Sequence, residues 1–145
     1  MKKLISTLIL LVSAYTLTAC NVEFSTAKVA SLTLSKNGSD NETVNPTTNF
    51  APTDKVIHCY AILGNAPGDT KVRARWVAIN AKGIEANTQL MEQFITAGGG
   101  KDNVHLQLKA ENGLPPGDYK VEIFLNPQEG KPEPPAKSLD FSVKA

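Results

Sequence analysis

Residues 114–125 read LPPGDYKVEIFL, a proline and glycine turn that leads directly into a strongly alternating segment. Apolar side chains occupy every second position from Tyr119 to Leu125, and between them lies a second set: Lys120, Glu122 and Phe124. A period of two gives a strand one face for the core and one for water. We therefore predict a half-buried β-strand from which Phe124 faces outward.

The same alternation extends to both sides of this segment. Short apolar segments are separated throughout by clusters rich in Gly, Pro, Asn and Asp, which is typical of an all-β sandwich or barrel. Six strands are predicted, at residues 30–34, 56–63, 71–79, 104–109, 119–125 and 138–143. A seventh candidate lies at residues 88–96, where the pattern fits either a short helical turn or an edge strand.

The motif at residues 114–119 resembles the L-x-P-G-x-Y entry to the F strand of fibronectin type III and related immunoglobulin-like sandwiches. The resemblance implies that Gly117 forms the turn, and that Tyr119 packs in the core while its hydroxyl bonds to nearby backbone. Trp76, which shares a face with Val72 and Ala78, is similar to the inward tryptophan on strand C of such domains. We expect a seven-stranded immunoglobulin-like sandwich over residues 28–145.

The N-terminal segment points to export. Lys2 and Lys3 precede an apolar run that is too short and too polar for a spanning helix, and it ends in LTAC at residues 17–20. This ending resembles the lipobox of bacterial lipoproteins. The resemblance implies a signal peptide over residues 1–19, cleavage before Cys20, and attachment of diacylglycerol and palmitate-like acyl chains to Cys20. The alternative is an uncleaved N-terminal helix that ends at an ordinary cysteine.

Lipidation would set the location of the mature protein. Residues 20–27 would form a short tether that reaches no more than about 25 Å, so the domain would lie close to the bilayer. In bacterial lipoproteins, Asp after the lipidated cysteine is the common signal for retention in the inner membrane, and this chain has Asn21 there. The resemblance therefore implies sorting to the outer membrane if the host is Gram-negative. We therefore expect a lipid-anchored protein of the bacterial cell envelope.

The charge balance argues against nucleic acid as a partner. The chain has 15 Lys and Arg against 14 Asp and Glu, and loss of Lys2 and Lys3 with the signal peptide leaves 13 against 14. A nearly neutral domain carries no electrostatic footprint for a phosphate backbone.

Cys59 is the one cysteine left once Cys20 is lipidated, so no intrachain disulfide is expected. The family's disulfide between strands B and F is therefore missing, and the resemblance is to disulfide-free sandwiches. Cys59 lies in an apolar run and is expected to be a small buried hydrophobe. An intermolecular disulfide or a reactive thiol is the alternative.

No residue pattern predicts an enzyme, a cofactor or a metal site. His58 and His105 should face outward on neighbouring strands and could approach each other, but two histidines supply only half of a tetrahedral zinc site. Residues 98–101 read GGGK, yet Asp102 stands where a phosphate-binding loop needs Ser or Thr, so a hairpin is expected there. No G-x-S-x-G elbow is present either.

Two surfaces are candidates for binding a protein partner. The first is the outward Phe124 together with Arg73 and Arg75, and the second is the stiff loop at residues 127–135, which includes Pro132, Pro134 and Pro135. These surfaces fit a non-enzymatic adaptor or accessory subunit of a membrane-proximal assembly. The alternative function is a ligand-binding or protease-inhibitory module, although an aromatic content of 6% argues against a carbohydrate platform.

Overall fold

The computed structural model describes residues 27–39 and 42–145, so the predicted signal peptide and Cys20 lie outside the described residues. The described part consists of strands and turns and contains no helix. Its nine strands are β1 Lys28–Ser39, β2 Glu42–Pro46, β3 Asn49–Phe50, β4 Val56–Gly64, β5 Thr70–Ala81, β6 Thr88–Ala97, β7 Asn103–Lys109, β8 Gly117–Leu125 and β9 Lys137–Val143.

The strands form two sheets. Sheet I has the order β2-β1-β4-β7, and sheet II has the order β3-β9-β8-β5-β6. All pairs are antiparallel except the two-residue pair of β3 with β9. The described residues form no helix that could span a membrane. The predicted all-β sandwich is thus confirmed.

The strand predictions fit the observed elements closely. All six predicted strands are present, and residues 88–96 lie within β6, an edge strand of sheet II, rather than in a helical turn. The count differs from the expected seven because the short strands β2 and β3 are also formed. Both short strands lie between β1 and β4, where the sequence pattern predicted a loop without strands.

The core between the sheets is built around four aromatic rings. Phe141 contacts Trp76 edge-on at 6.1 Å between ring centroids, lies nearly parallel to Tyr119 at 5.4 Å, and meets Phe50 edge-on at 5.6 Å. The side chains of Trp76 and Tyr119 are completely buried. The predicted inward position of both residues is therefore confirmed, and edge-to-face contacts add to the stability from burial.

The turn that leads into β8 has the predicted local contacts. The Tyr119 hydroxyl donates a hydrogen bond of 2.5 Å to the carbonyl oxygen of Pro115. At Gly117, a Cβ atom would lie 2.4 Å from the Cα of Ala81 on the paired strand β5. Only glycine permits this close approach of two backbones.

The segment at residues 98–101 forms a tight turn closed by an antiparallel bridge between Gly98 and Lys101, as the expected hairpin requires, but the strands on its two sides do not pair with each other. It connects β6 of sheet II to β7 of sheet I, so the chain changes sheets there. Gly98, Gly99 and Gly100 all have positive φ, and a Cβ on Gly98 would lie 1.8 Å from the carbonyl oxygen of Pro67. Packing against the neighbouring turn explains why glycine is needed.

Candidate functional site

Phe124 is not the exposed contact that the sequence predicted. It lies on the outer face of sheet II, as expected from the alternation, but only 1% of its surface is exposed. The guanidinium carbons of Arg73 and Arg75 lie 4.1 Å and 5.1 Å from its ring centroid. Both arginines come from the neighbouring strand β5, where Arg73 is the register partner of Phe124. The arginines cover the ring by cation–π contact, so it presents no apolar surface to a partner.

Arg75 takes part in a charge network on the same face. Its Nε donates a hydrogen bond of 2.7 Å to Oε2 of Glu122, and its Nη2 lies 2.7 Å from the same oxygen. Lys120 Nζ lies 2.7 Å from the other carboxylate oxygen. Burial raises the pKa of Glu122, but the hydrogen bonds from Lys120 and Arg75 outweigh it, so the pKa lies below its ordinary value. The network holds a buried carboxylate in its charged form.

Arg73 links strand β6 to the proline-rich loop. Its Nε lies 3.6 Å from a carboxylate oxygen of Glu92, and its Nη2 lies 3.9 Å from Glu133 in the loop. Glu133 also accepts a hydrogen bond of 3.2 Å from the backbone of Gln128. The two predicted contact arginines therefore have structural partners within the domain, which leaves less of their charge for an external ligand.

The proline-rich loop at residues 127–135 is at the surface, as predicted. Pro132 and Pro134 are exposed, and Pro135 is half-buried. A groove of about 610 Å³ lies between this loop and β6; we call it the loop groove, and it is lined by Lys71, Arg73, Glu92, Phe94 and residues 127–130.

The largest exposed apolar side chains near the loop are on β6, and the sequence analysis did not name them as candidate binding residues. Phe94 is 69% exposed and Ile95 is 39% exposed, and Phe94 is the register partner of Arg73. Within the described part of the chain, β6 pairs with β5 and forms one edge of sheet II. Two adjacent large apolar residues in a strand without clean alternation were the available sequence signal.

A second groove lies on the other side of β6, toward the edge of sheet I. This edge groove has a volume of about 410 Å³, and its lining combines apolar side chains of β6 with polar side chains of β7: Met91, Gln93, Phe94, Ile95, His105, Leu106, Gln107 and Lys109. Gln93 spans the two sheets, since it accepts a hydrogen bond of 3.3 Å from the indole of Trp76 and donates one of 3.0 Å to the carbonyl of Gln107.

His58 and His105 meet on the outer face of sheet I, as the sequence suggested they could. Nδ1 of His58 lies 2.9 Å from Nε2 of His105, and the ring of Tyr60 stacks on His105 at 4.6 Å between centroids. Burial, followed by the effect of His105, lowers the pKa of His58. Among the described residues, no group of three or more His, Cys, Asp or Glu side chains is arranged to hold a metal ion.

Cys59 is buried completely in the core, and no disulfide partner for it lies within the described residues. Burial raises the pKa of its thiol to about 12. This agrees with the expected small buried hydrophobe and argues against a reactive thiol, because the thiolate is the nucleophilic form.

No protein-family model matches the chain, and no curated protein is significantly similar in sequence. Among solved structures, the chain is similar to the crystal structure of the PmoD soluble domain from Methylocystis sp. ATCC 49242 (Rockwell). The identity is 12%, the match covers 78% of this chain and 89% of that chain, and the TM-score is 0.47.

Proposed function

We propose that this protein is a lipid-anchored envelope protein whose sandwich is a non-enzymatic protein-interaction domain, an adaptor or accessory subunit of a membrane-proximal assembly. The lipobox-like LTAC at residues 17–20 supports the anchor at Cys20. The free edge of β6, with Phe94 exposed by 69%, is the observation that carries the interaction role.

The sandwich is proposed to be immunoglobulin-like. Its seven longer strands divide between the sheets as β1-β4-β7 and β9-β8-β5-β6, and β2 and β3 extend the edges beside β1 and β9. The buried Trp76 on β5 and the Tyr119 hydrogen bond before β8 support this class. Domains of this kind bind partners through end loops or exposed sheet edges.

The binding surface is proposed to be the outer edge of β6, and its occupant an extended segment of a partner protein. A strand added to a sheet edge gains backbone hydrogen bonds, while its side chains point alternately to the two faces. The loop groove and the edge groove lie on the two sides of β6, and both include Phe94 in their lining. Alternate side chains of an added strand would therefore enter different grooves.

The linings indicate the character of the partner segment. The edge groove offers Met91 and Ile95, which suit apolar side chains. The loop groove offers Lys71, while Arg73 and Glu92 in the same groove lie 3.6 Å apart as an ion pair, so this groove suits polar side chains or an acidic one that pairs with Lys71. An extended segment that alternates apolar with polar or acidic residues fits both grooves.

The test is photo-crosslinking of the native protein in cells. A photoreactive amino acid at position 94 should capture one dominant protein partner, identified by mass spectrometry. The same residue at position 62 is the matched control, because Ile62 is also an exposed apolar strand residue, at 46%, but lies on β4 of sheet I. Phe94→Glu should abolish the complex, while Ile62→Glu should leave it intact.

The outcomes separate this function from the alternative. Replacement of Pro132 and Pro134 by Ser could abolish partner binding while the Phe94→Glu variant still binds normally. That result would favour the alternative, a ligand-binding or inhibitory module that acts through the loop. If the photoreactive residue captures the same partner equally well from positions 94 and 62, the proposal that β6 is the binding surface is wrong. The anchor is tested separately: Cys20→Ala should release the protein from the membrane fraction, and firm attachment of this variant would contradict lipidation.

A further inference from the structure

The imidazoles of His58 and His105 point directly at each other. Their ring planes differ by 9° and their centroids are 5.2 Å apart, while Nδ1 of His58 and Nε2 of His105 are separated by only 2.9 Å. The two facing nitrogens therefore lie between the two ring centres. A neutral imidazole has one N–H donor and one acceptor nitrogen, so a single proton lies between these rings.

A metal ion can take the place of that proton. Imidazole nitrogens bind Zn²⁺ at about 2.0–2.1 Å, and two such ligands on one ion are separated by about 2.9–3.4 Å, depending on the angle at the metal. The observed separation of 2.9 Å is at the lower end of that range. The lone pairs of the two facing nitrogens lie along one line, so each ring must rotate by roughly 35–45° before both lone pairs point at one ion.

A third side chain lies at the same place. The amide nitrogen of Gln107 is 3.4 Å from Nε2 of His105. The nitrogen and oxygen of an amide are assigned from their hydrogen bonds, and a half-turn of the group exchanges them. Rotation of the Gln107 amide would present its oxygen to an ion held by the two imidazoles.

We propose that His58 Nδ1 and His105 Nε2 chelate a divalent transition-metal ion on the outer face of sheet I, with the side-chain oxygen of Gln107 as third ligand. Imidazole ligands select ions such as Zn²⁺, Ni²⁺ and Cu²⁺ over Mg²⁺ and Ca²⁺. No proton is lost overall if both rings are neutral: the proton between the rings leaves the facing nitrogen, and the same ring is reprotonated from water at its remote nitrogen.

The fold brings these three side chains together before an ion arrives. His58 and His105 lie on the adjacent paired strands β4 and β7, where His58 is opposite Gln107. Tyr60 is opposite His105, stacks on its ring and donates a hydrogen bond of 2.8 Å to the carbonyl of Ser39. Both histidines are only partly buried, so an ion can enter from water and keep water molecules as its remaining ligands.

The test is calorimetric titration of the purified full-length protein with NiCl₂ and, separately, ZnCl₂. We expect one ion per chain. His58→Asn and His105→Asn should each reduce the affinity by more than the roughly 10–100-fold that loss of an outer-shell partner costs. Lys109→Gln, on the same strand as His105, is the matched control and should retain the affinity. Cys20→Ser should bind equally well, which excludes a thiolate background from unlipidated protein.

A second measurement needs no variant of the site. The chain contains two histidines, so its imidazole NMR signals belong to these rings alone. Substoichiometric Ni²⁺ should broaden both sets of signals together. Broadening of one histidine only, or equal binding by the double variant His58→Asn/His105→Asn, would overturn the chelate. Either result concerns sheet I alone and leaves the proposed partner surface on β6 unaffected.

Discussion

The hydroxyl of Tyr119 donates a 2.5 Å hydrogen bond to the carbonyl oxygen of Pro115, four residues earlier in the chain. The bond lies in the connection that carries the chain from β7 of sheet I to β8 of sheet II. The Tyr119 ring meanwhile packs against Phe141 in the core. One side chain thus ties the crossover between the sheets to the centre of the molecule.

Removal of this hydroxyl should destabilise the domain without changing its fold. Tyr119→Phe keeps the buried ring but leaves the Pro115 carbonyl without its partner, and we expect the free energy of unfolding to fall by about 1 kcal/mol or more. Urea denaturation followed by tryptophan fluorescence measures the change, since Trp76 is the only tryptophan. An unchanged free energy of unfolding would show that the bond does not secure the crossover.

Phe124 and Phe94 should respond very differently to truncation. Phe124→Ala removes a buried ring and its contacts with two guanidinium groups, so we expect a loss of about 3–5 kcal/mol in the free energy of unfolding. Phe94→Ala, at an exposed edge, should change it by no more than about 0.5 kcal/mol. Chemical denaturation of both variants gives the comparison. Similar losses would mean that Phe94 contributes to folding rather than to binding.

Glu122 should make the stability depend on acid pH. Its pKa is lower in the folded protein than in the unfolded chain, so its contribution is present above the unfolded pKa and is lost as the pH falls through the folded pKa. The free energy of unfolding should therefore decrease below about pH 4.5.

Glu122→Gln should flatten that decrease and cost about 1–3 kcal/mol at neutral pH, because Arg75 and Lys120 lose a charged acceptor. Glu129→Gln, at an exposed position of the loop, is the control and should retain the wild-type slope. Denaturant unfolding at a series of pH values from 7 to 3 gives both slopes. If the two variants have the same pH dependence, Glu122 is not the group responsible.

Cys59 should be inert in the folded protein. Its thiol is buried and its pKa is raised to about 12, so a thiol reagent should react only when the domain unfolds. Reaction with a colourimetric disulfide reagent at increasing urea concentration should follow the unfolding transition. Rapid reaction of Cys59 without denaturant would contradict the packed core around β4.

Most of the fold could be predicted because it depends on local patterns. Alternation predicted the strand at residues 119–125 and the inward face of Trp76. The hydrogen bond of Tyr119 was implied by the resemblance of residues 114–119 to the strand-F entry of immunoglobulin-like sandwiches. The short strand β3 could not be predicted, because it pairs over only two residues with β9, which is distant in sequence. The short strand β2 pairs with the preceding strand β1, but its sequence ETVNP has no apolar alternation to indicate a strand.

The candidate site was harder to predict than the fold. Alternation correctly assigned Phe124 to the outer face of its sheet. It could not predict that Arg73 and Arg75 of the neighbouring strand β5 cover the ring. Phe94 is exposed because β6 lies at a sheet edge, and edge position follows from the order of strands rather than from local sequence. The approach of His58 and His105 was foreseen because it required only that their two strands be neighbours.

The burial of Cys59 has a practical consequence for the study of this protein in solution. It is the only cysteine among the described residues, and the core shields it. A cysteine engineered onto β6 or into the loop at residues 127–135 would be the only accessible thiol in that part of the chain. Spin labels or fluorophores can therefore be attached there, and distances to a bound partner followed, with the native core residue left in place.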